Sequence, residues 1–374
     1  MGRSVESFVG AYFAKLDGLI SGLTKKTYWT LWVAAIAIVL SLVAHTPGIS
    51  LFRDVGKHWC ADVVRMQIAH PFTPIDTGPI IPCTGMFSHT DKIAFRFSVP
   101  LIGKAFNLGV ASFLVLNYAA GLLFFPMFAQ VANGIFRDRV TAAYVTFAFA
   151  LTWAGGHFFN DNGYGDGFAW ACLLASIYFR HPVLIFGVVL TASFTDERAF
   201  VGSAGVFLYW LNTHQQRARD ALIAIVAAWV AYFVLRLGLA YAFGLKTGPL
   251  GYVTTILWDH ARNSIPYRVL TVFQGLWLWF AIGAIALYLS GRPLVLMGFV
   301  ATLGCIALLS LLVEDIQRSL GYALLLLPLA WQAGGLEQAT ERAIARGCFI
   351  LGFCLIEPFN TVLRYWHQLW SQLQ

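Results

Sequence analysis

The stretch PVLIFGVVLTASFTDERAFVGSAGVFLYWLN, Pro182–Asn212, contains the decision about the fold. Two apolar runs, 182–194 and 199–212, meet at Asp196, Glu197 and Arg198, with hardly any loop in which those charges are solvated. A third run, 167–179, is equally short. A straight helix needs about 20 residues to cross the hydrocarbon core of a bilayer. Two arrangements satisfy such runs. Either the helices continue into their polar flanks, or they are short helices packed inside the protein around an indentation, where protein or water satisfies the backbone.

The whole chain has the same character. It is 374 residues long, 59% hydrophobic, 16% aromatic and only 11% charged. Its mean hydropathy of +0.69 lies outside the range of soluble globular domains. The net charge of +7 comes from Lys and Arg placed singly between apolar runs, which excludes a nucleic-acid-binding face and fits cations flanking membrane spans. Apolar runs fall at 28–45, 108–132, 140–157, 167–179, 182–194, 199–212, 220–243, 269–290, 293–313, 319–334 and 345–357. They predict an all-α, polytopic transmembrane helical bundle of about 11 spans.

The division expected is an N-terminal amphipathic helix over 1–26 and a single transmembrane domain over 27–374. Phe8, Tyr12, Phe13, Leu16 and Leu19 share one face of that first helix, which is expected to lie along the cytoplasmic interface and not to act as a cleavable leader. With a cytoplasmic N-terminus, the short inner connections hold Arg137, Arg139, Arg180, Arg217, Arg219, Arg292, Arg342 and Arg346, whereas the short outer ones hold only Arg198 and Arg318. Two long loops, 46–107 and 244–267, then lie outside. The first reads as an interfacial helix near Arg53–Ile68, a Pro-rich crossing and a second interfacial helix over 94–106. The expected location is a bacterial inner membrane with the active face periplasmic.

This threading brings every acidic cluster to the outer side, next to apolar spans where ionisable groups are costly. FRDVGKHWCADVVRMQIAHPF, 52–72, places Asp54 and Asp62 within about 80° of each other on a helix. Either is a solvated interfacial charge, or a general base that orients an acceptor hydroxyl. HFFNDNGYGDGF, 157–168, sets Asp161 and Asp166 among glycines at the mouth of two spans, as a plain turn or as part of a substrate site. Asp196 and Glu197 pair with Arg198 or line a pocket. Asp315 and Arg318 form an i,i+3 pair capping a span, or Arg318 is a bidentate phosphate ligand. Arg262 is a further outer cation.

Six cysteines are present. Cys172, Cys305, Cys348 and Cys354 lie in apolar segments as packing residues, and Cys60 and Cys83 share the first outer loop, where a disulfide between them is one option. The histidines have no metal-ligand spacing, and no nucleophile elbow or Walker loop occurs.

Taken together, these motifs resemble the GT-C superfamily of integral-membrane glycosyltransferases. RDVGKHWCADVVRMQIAHPF (53–72) is similar to their acidic first outer loop, and TDERAF (195–200) to the charged patch between their middle spans. DKIAFRFSVPLI (91–102) and EDIQRSLGYALLLLP (314–328) resemble stretches of bacterial members. The resemblance covers roughly 50–330, although loop one lacks the acidic DxD pair. It implies sugar transfer at the outer face from a lipid-phosphate-linked donor. Asp54 or Asp62 would act on the acceptor, Arg198, Arg318 and Arg262 would face the phosphate, and Asp161, Asp166, Asp196, Glu197 and Asp315 would line the substrate. No cofactor is fixed by the sequence; a divalent cation is the one left open, with no metal ligands assigned. Membrane lipids and the lipid-linked sugar are the expected partners. Alternatives are a polysaccharide polymerase or ligase using the same donor, and a non-catalytic scaffold or transporter subunit.

Overall fold

The computed structural model describes residues 2–45, 50–53, 55–57, 59–72, 94–159, 165–213, 216–245, 265–311 and 316–355. Among these, all regular structure is helical. In chain order the helices are α1 (Gly2–Thr24), α2 (Trp29–Ala44), α3 (Ser50–Arg53), α4 (Trp59–Ala69), α5 (Ser98–Ala105), α6 (Ser112–Phe136), α7 (Arg139–Leu151), α8 (Trp153–Gly156) and α9 (Asp166–Tyr178). They continue as α10 (Pro182–Ser193), α11 (Arg198–Asn212), α12 (Gln216–Phe243), α13 (Ile265–Phe273), α14 (Trp277–Leu289), α15 (Pro293–Leu311), α16 (Ile316–Gly321), α17 (Leu327–Gly334) and α18 (Gln338–Leu355). Short 3₁₀ turns join α13 to α14 and α16 to α17.

Helix length follows position. Four segments are long and apolar enough to cross a membrane: Gly109–Phe136, Ala218–Phe243, Ile265–Leu289 and Pro293–Leu311. In the second and fourth only 22% of the apolar window is buried inside the protein. The exposed flank of α12 is correspondingly apolar, with Val226, Val230, Phe233, Val234 and Leu237 open. So large an apolar surface is unstable in water and suits lipid. At the centre the helices are short. Every residue of α7 from Val140 to Leu151 is buried, and its alanines at 142, 143, 148 and 150 let neighbouring backbones approach closely.

Each of the eleven apolar runs has its described residues mainly on helices, but the expectation of about 11 spans is not met by length among the described residues. Four segments qualify; Trp29–Ala44, Arg139–Leu151, Asp166–Tyr178 and Pro182–Ser193 are apolar but too short by themselves, and Gln338–Leu355, with 18 residues, is long enough but not apolar enough. The reason is local. Thr152 leaves the helical region at ψ 159°, ending α7, and its hydroxyl then caps α8 by accepting from the Gly155 N–H. The three runs at 167–179, 182–194 and 199–212 form helices of 13, 12 and 15 residues, without extension into their flanks. The interfacial helix expected near Arg53–Ile68 is broken into α3, a 3₁₀ turn and α4, and the one expected over 94–106 is α5. Of the cysteines, Cys348 is buried, while Cys305 and Cys354 face outward, so those two do not act as core packing.

Polar side chains gather at the two ends of the bundle. At one end the Asp138 carboxylate caps α7, accepting from the Val140 and Thr141 N–H groups, and pairs with Arg342 at 2.9 Å. Beside it Asp17 of α1 accepts from the Tyr144 hydroxyl and pairs with Arg346 at 3.0 Å, tying the N-terminal helix to α7 and α18. Asn212, Arg292 and Gln332 join through hydrogen bonds at the starts and ends of α11, α15 and α17. A core of packed rings lies between the two ends, with Phe124 stacked on Phe128 and Phe149 and Trp331 edge-on to Phe128. At the other end lies Asp166.

Candidate functional site

Asp166 opens α9, where a carboxylate is favoured by the helix dipole. The residue before it, Gly165, has φ +88°, a backbone state that side-chain-bearing residues rarely adopt. A Cβ there would also stand 2.9 Å from Val99 Cγ2. The glycine therefore sets Asp166 inward, and its side chain is fully buried. Two guanidiniums converge on it. Arg198 Nη2 donates to Oδ1 at 2.6 Å, and Arg318 Nε donates to Oδ2 at 2.9 Å with its Nη2 at 2.8 Å. The Tyr322 hydroxyl donates to Oδ1 at 3.4 Å, and His157 Nε2 stands 3.8 Å from Oδ2.

The cluster extends through the α10–α11 turn. Asp196 is fully buried and receives Arg198 Nε at 2.8 Å and Nη2 at 2.6 Å, and also the Arg198 backbone N–H at 2.8 Å. Arg198 Nη1 donates to Ser319 Oγ at 2.8 Å, and its guanidinium lies over the Tyr322 ring. Arg96, just before α5, makes a fork to Glu197, with Nε to Oε2 at 2.9 Å and Nη2 to Oε1 at 2.8 Å. Its Nη1 stands 3.1 Å from Asp196 Oδ2. Among the described residues, Arg96, Arg198 and Arg318 thus meet Asp166, Asp196 and Glu197, three guanidiniums against three carboxylates.

His157 is held by its own set of contacts. Its ring stacks on Trp153 at 4.8 Å and lies 5.0 Å from Trp170. The Asn117 amide donates to the His157 and Phe158 carbonyls, which fixes the backbone as it leaves α8. On the partly exposed rim, burial pushes the Glu197 carboxyl up, but the Arg96 charge and fork, with Arg198 behind, outweigh this and hold it at about 2.

Of the residues expected from the sequence, Asp166, Asp196, Glu197, Arg198 and Arg318 meet in this one cluster. The pairing of Asp196 with Arg198 is present, while Glu197 pairs with Arg96, which the sequence reading did not single out. Arg318 is engaged with Asp166 from a helix 152 residues further along the chain. Asp54, Asp161, Arg262, Asp315 and Cys83 lie outside the described residues. Asp62 and Cys60 are placed on α4 by their backbone alone, so the Cys60–Cys83 option stays where the sequence left it. Among the described residues no group of three or more His, Cys, Asp or Glu is arranged to hold a metal ion. The signal that could have found Arg96 is its isolation: a lone cation in the apolar stretch IAFRFSVPLI, 93–102, must have a partner.

Comparison of the chain with protein-family models, with curated proteins and with solved structures gave no match.

Breaking a buried ion pair by removing one charge typically costs about 3–5 kcal/mol, because the remaining partners are left uncompensated. Asp166→Asn is expected to destabilise the detergent-solubilised protein on that scale, measured by denaturant or thermal unfolding. A loss below about 1 kcal/mol, the level of an exposed pair, would show that the cluster does not hold the bundle end together.

Glu197 gives a pH test. Its folded-state value of about 2 lies below the ordinary 4.5, so its ionised form adds stability above the ordinary value, and that contribution is lost as pH falls towards 2. The stability gap between the parental protein and Glu197→Gln should accordingly narrow between about pH 5 and pH 2. A gap that is constant with pH would mean that the Arg96–Glu197 attraction is not what the substitution removes.

Proposed function

We propose that this protein is an integral-membrane glycosyltransferase that takes a sugar from a lipid-phosphate-linked donor and delivers it to an acceptor at the outer face. The observation that carries the proposal is the gathering of Asp166, Asp196, Glu197, Arg198 and Arg318 at one end of short central helices. Helix α4, which bears Asp62, is packed at that same end. Buried charges are expensive in a membrane protein and are found mostly where a polar substrate is handled.

In this reading all eleven apolar runs cross or enter the membrane, the short central ones within the protein. The supporting pattern is alternation: Asp138, Arg342, Asp17 and Arg346 gather at one end, and Asp166, Asp196 and Arg318 at the other. The Asp138 end faces the cytoplasm of a bacterial inner membrane, and the Asp166 end faces outward. Cysteine probes at His70 and Phe106, both exposed at the Asp166 end, should be labelled by an impermeant reagent from outside, and probes at Gly291 and Gly335 spared. The reverse pattern would place the cluster in the cytoplasm, where soluble nucleotide sugars are available, and would remove the reason for a lipid-linked donor.

Asp54 or Asp62 takes the acceptor hydroxyl proton, while Arg198 and Arg318, with Arg262 from the second long loop, face the phosphate as negative charge builds on it. Arg198 and Arg318 already hold the Asp166 carboxylate, so a phosphate reaches them by taking that carboxylate's place on part of the guanidinium edge. The resemblance to GT-C enzymes and the lipid-linked donor support each other, because the cluster lies on the side opposite to cytoplasmic sugar nucleotides.

A second reading, a non-catalytic membrane scaffold, is favoured by one observation: among the described residues, each of the three guanidiniums of the cluster already holds a carboxylate. Proteoliposomes supplied with polyprenyl-phosphate sugars separate the two. Asp54→Asn or Asp62→Asn should leave the protein folded while one of them lowers transfer at least about a hundredfold, the usual effect of a missing general base. Transfer at the parental rate in both single variants and in the double variant would remove the base from loop one, and no transfer by the parental protein with any such donor would favour the scaffold.

A further inference from the structure

Residues 94–105 are held in two different ways at their two ends. The α5 segment shares a small apolar core with α4, formed by Val64, Ala94, Phe95 and Val99 against Phe113 and Leu114, separate from the main core of the bundle. Its link to α10 and the α10–α11 turn is part polar and part aromatic, and includes the Ser98 hydroxyl donating to the Thr191 carbonyl at 3.0 Å. Arg96 forks onto Glu197 and reaches Asp196, the Ser98 N–H donates to the Phe194 carbonyl at 3.3 Å, and Phe97 stacks on Phe194 at 4.5 Å. The other end of α5 runs into a tight turn before α6, where Asn107 and Gly109 take φ +54° and +56°. A Cβ at Gly109 would meet nothing within 4 Å, so that turn has room to change. Large backbone changes in moving segments are absorbed at a few such loop positions.

Charge makes the Arg96 contact specific. Among the described residues, Arg96 is the guanidinium that forks onto Glu197, and it also reaches Asp196. The segment thus supplies a cation to the two carboxylates beneath it. Arg96 is itself only 11% exposed, while the fully buried Asp196 lies under it.

We infer that α5 is a hinged strap, pivoting at the 106–111 turn, and that Arg96 is the positioning residue that latches it over Asp196 and Glu197. Release of the latch opens the charged cluster to the aqueous face at that end of the bundle. The latch stands whether or not the transferase reading does, since it concerns access to the cluster and not the reaction performed there.

Hydrogen exchange by mass spectrometry on the full chain in nanodiscs tests this without a substrate. Arg96→Gln should speed exchange of peptides covering 94–105 by at least about tenfold, while peptides from α7 and α9 keep parental rates, because only a local opening has been eased. Arg96→Lys, which keeps the charge but loses the fork, should fall between the two. Glu197→Gln approaches the same contact from the other side and should raise exchange in 94–105 less, since Asp196 still holds Arg96. If Arg96→Gln does not fold, the Lys and Glu197 variants decide the matter. Exchange in 94–105 staying within about twofold of parental in the folded variants would overturn the latch, as would an equal rise across the whole bundle.

Discussion

The Asp166 carboxylate, bound by two guanidiniums from distant helices, is the interaction on which this end of the molecule depends. An ion taken out of water in an apolar bundle is tolerated only with a counter-charge at hydrogen-bond distance. That requirement fixes where α9 begins, why Gly165 precedes it and why Arg198 and Arg318 start or lie near the start of their helices. It also accounts for one end of three short central helices: α9 begins at Asp166, α10 stops at Ser193 just before Asp196, and α11 begins at Arg198.

Length and burial are two consequences of one division of labour. The long helices have apolar flanks open to the surroundings, as α12 and α15 show. Helix α7 is enclosed on all sides, carries Thr141 and Thr146 as well as alanines, and satisfies the Thr146 hydroxyl on its own Ala142 carbonyl. Close helix packing in such a setting relies on small residues and on internal hydrogen bonding in place of apolar bulk. The polar layer around Asp138 and Asp17 then closes the opposite end, about 20 Å away along the 13 residues of α7.

For function, the balance of the cluster matters more than its size. Three guanidiniums meet three carboxylates among the described residues, and the balance between them changes when any one member is withdrawn or displaced. A site of that kind holds its geometry at rest and responds to an anionic group that competes for Arg198 or Arg318. It also makes access a matter of which segment supplies the balancing charge, and here that segment is the one carrying Arg96. Catalysis and scaffolding draw on the same network. What separates the two readings is whether Asp54 or Asp62 acts as the base proposed above.

Much of this was legible in the residues. The apolar runs located the helices, because an apolar stretch long enough to be helical has few other ways to satisfy its backbone in lipid. TDERAF announced a buried charged group, since it leaves no loop in which three ionisable side chains are solvated. Partners were not legible. The sequence offered Asp196 or Glu197 to Arg198, and Asp196 takes that place, but nothing local pointed to Asp166 as a partner of Arg318 or to Arg96 as the partner of Glu197. Nor could the sequence show that Thr152 divides one apolar run, since a threonine in an apolar stretch reads equally as helix interior or as cap. By itself the sequence determined a helical, lipid-compatible chain with its charges near the ends of its apolar runs, because hydropathy and helix length are local properties. Only the tertiary structure decided which charges neutralise which, because that pairing depends on how segments more than a hundred residues apart are packed side by side.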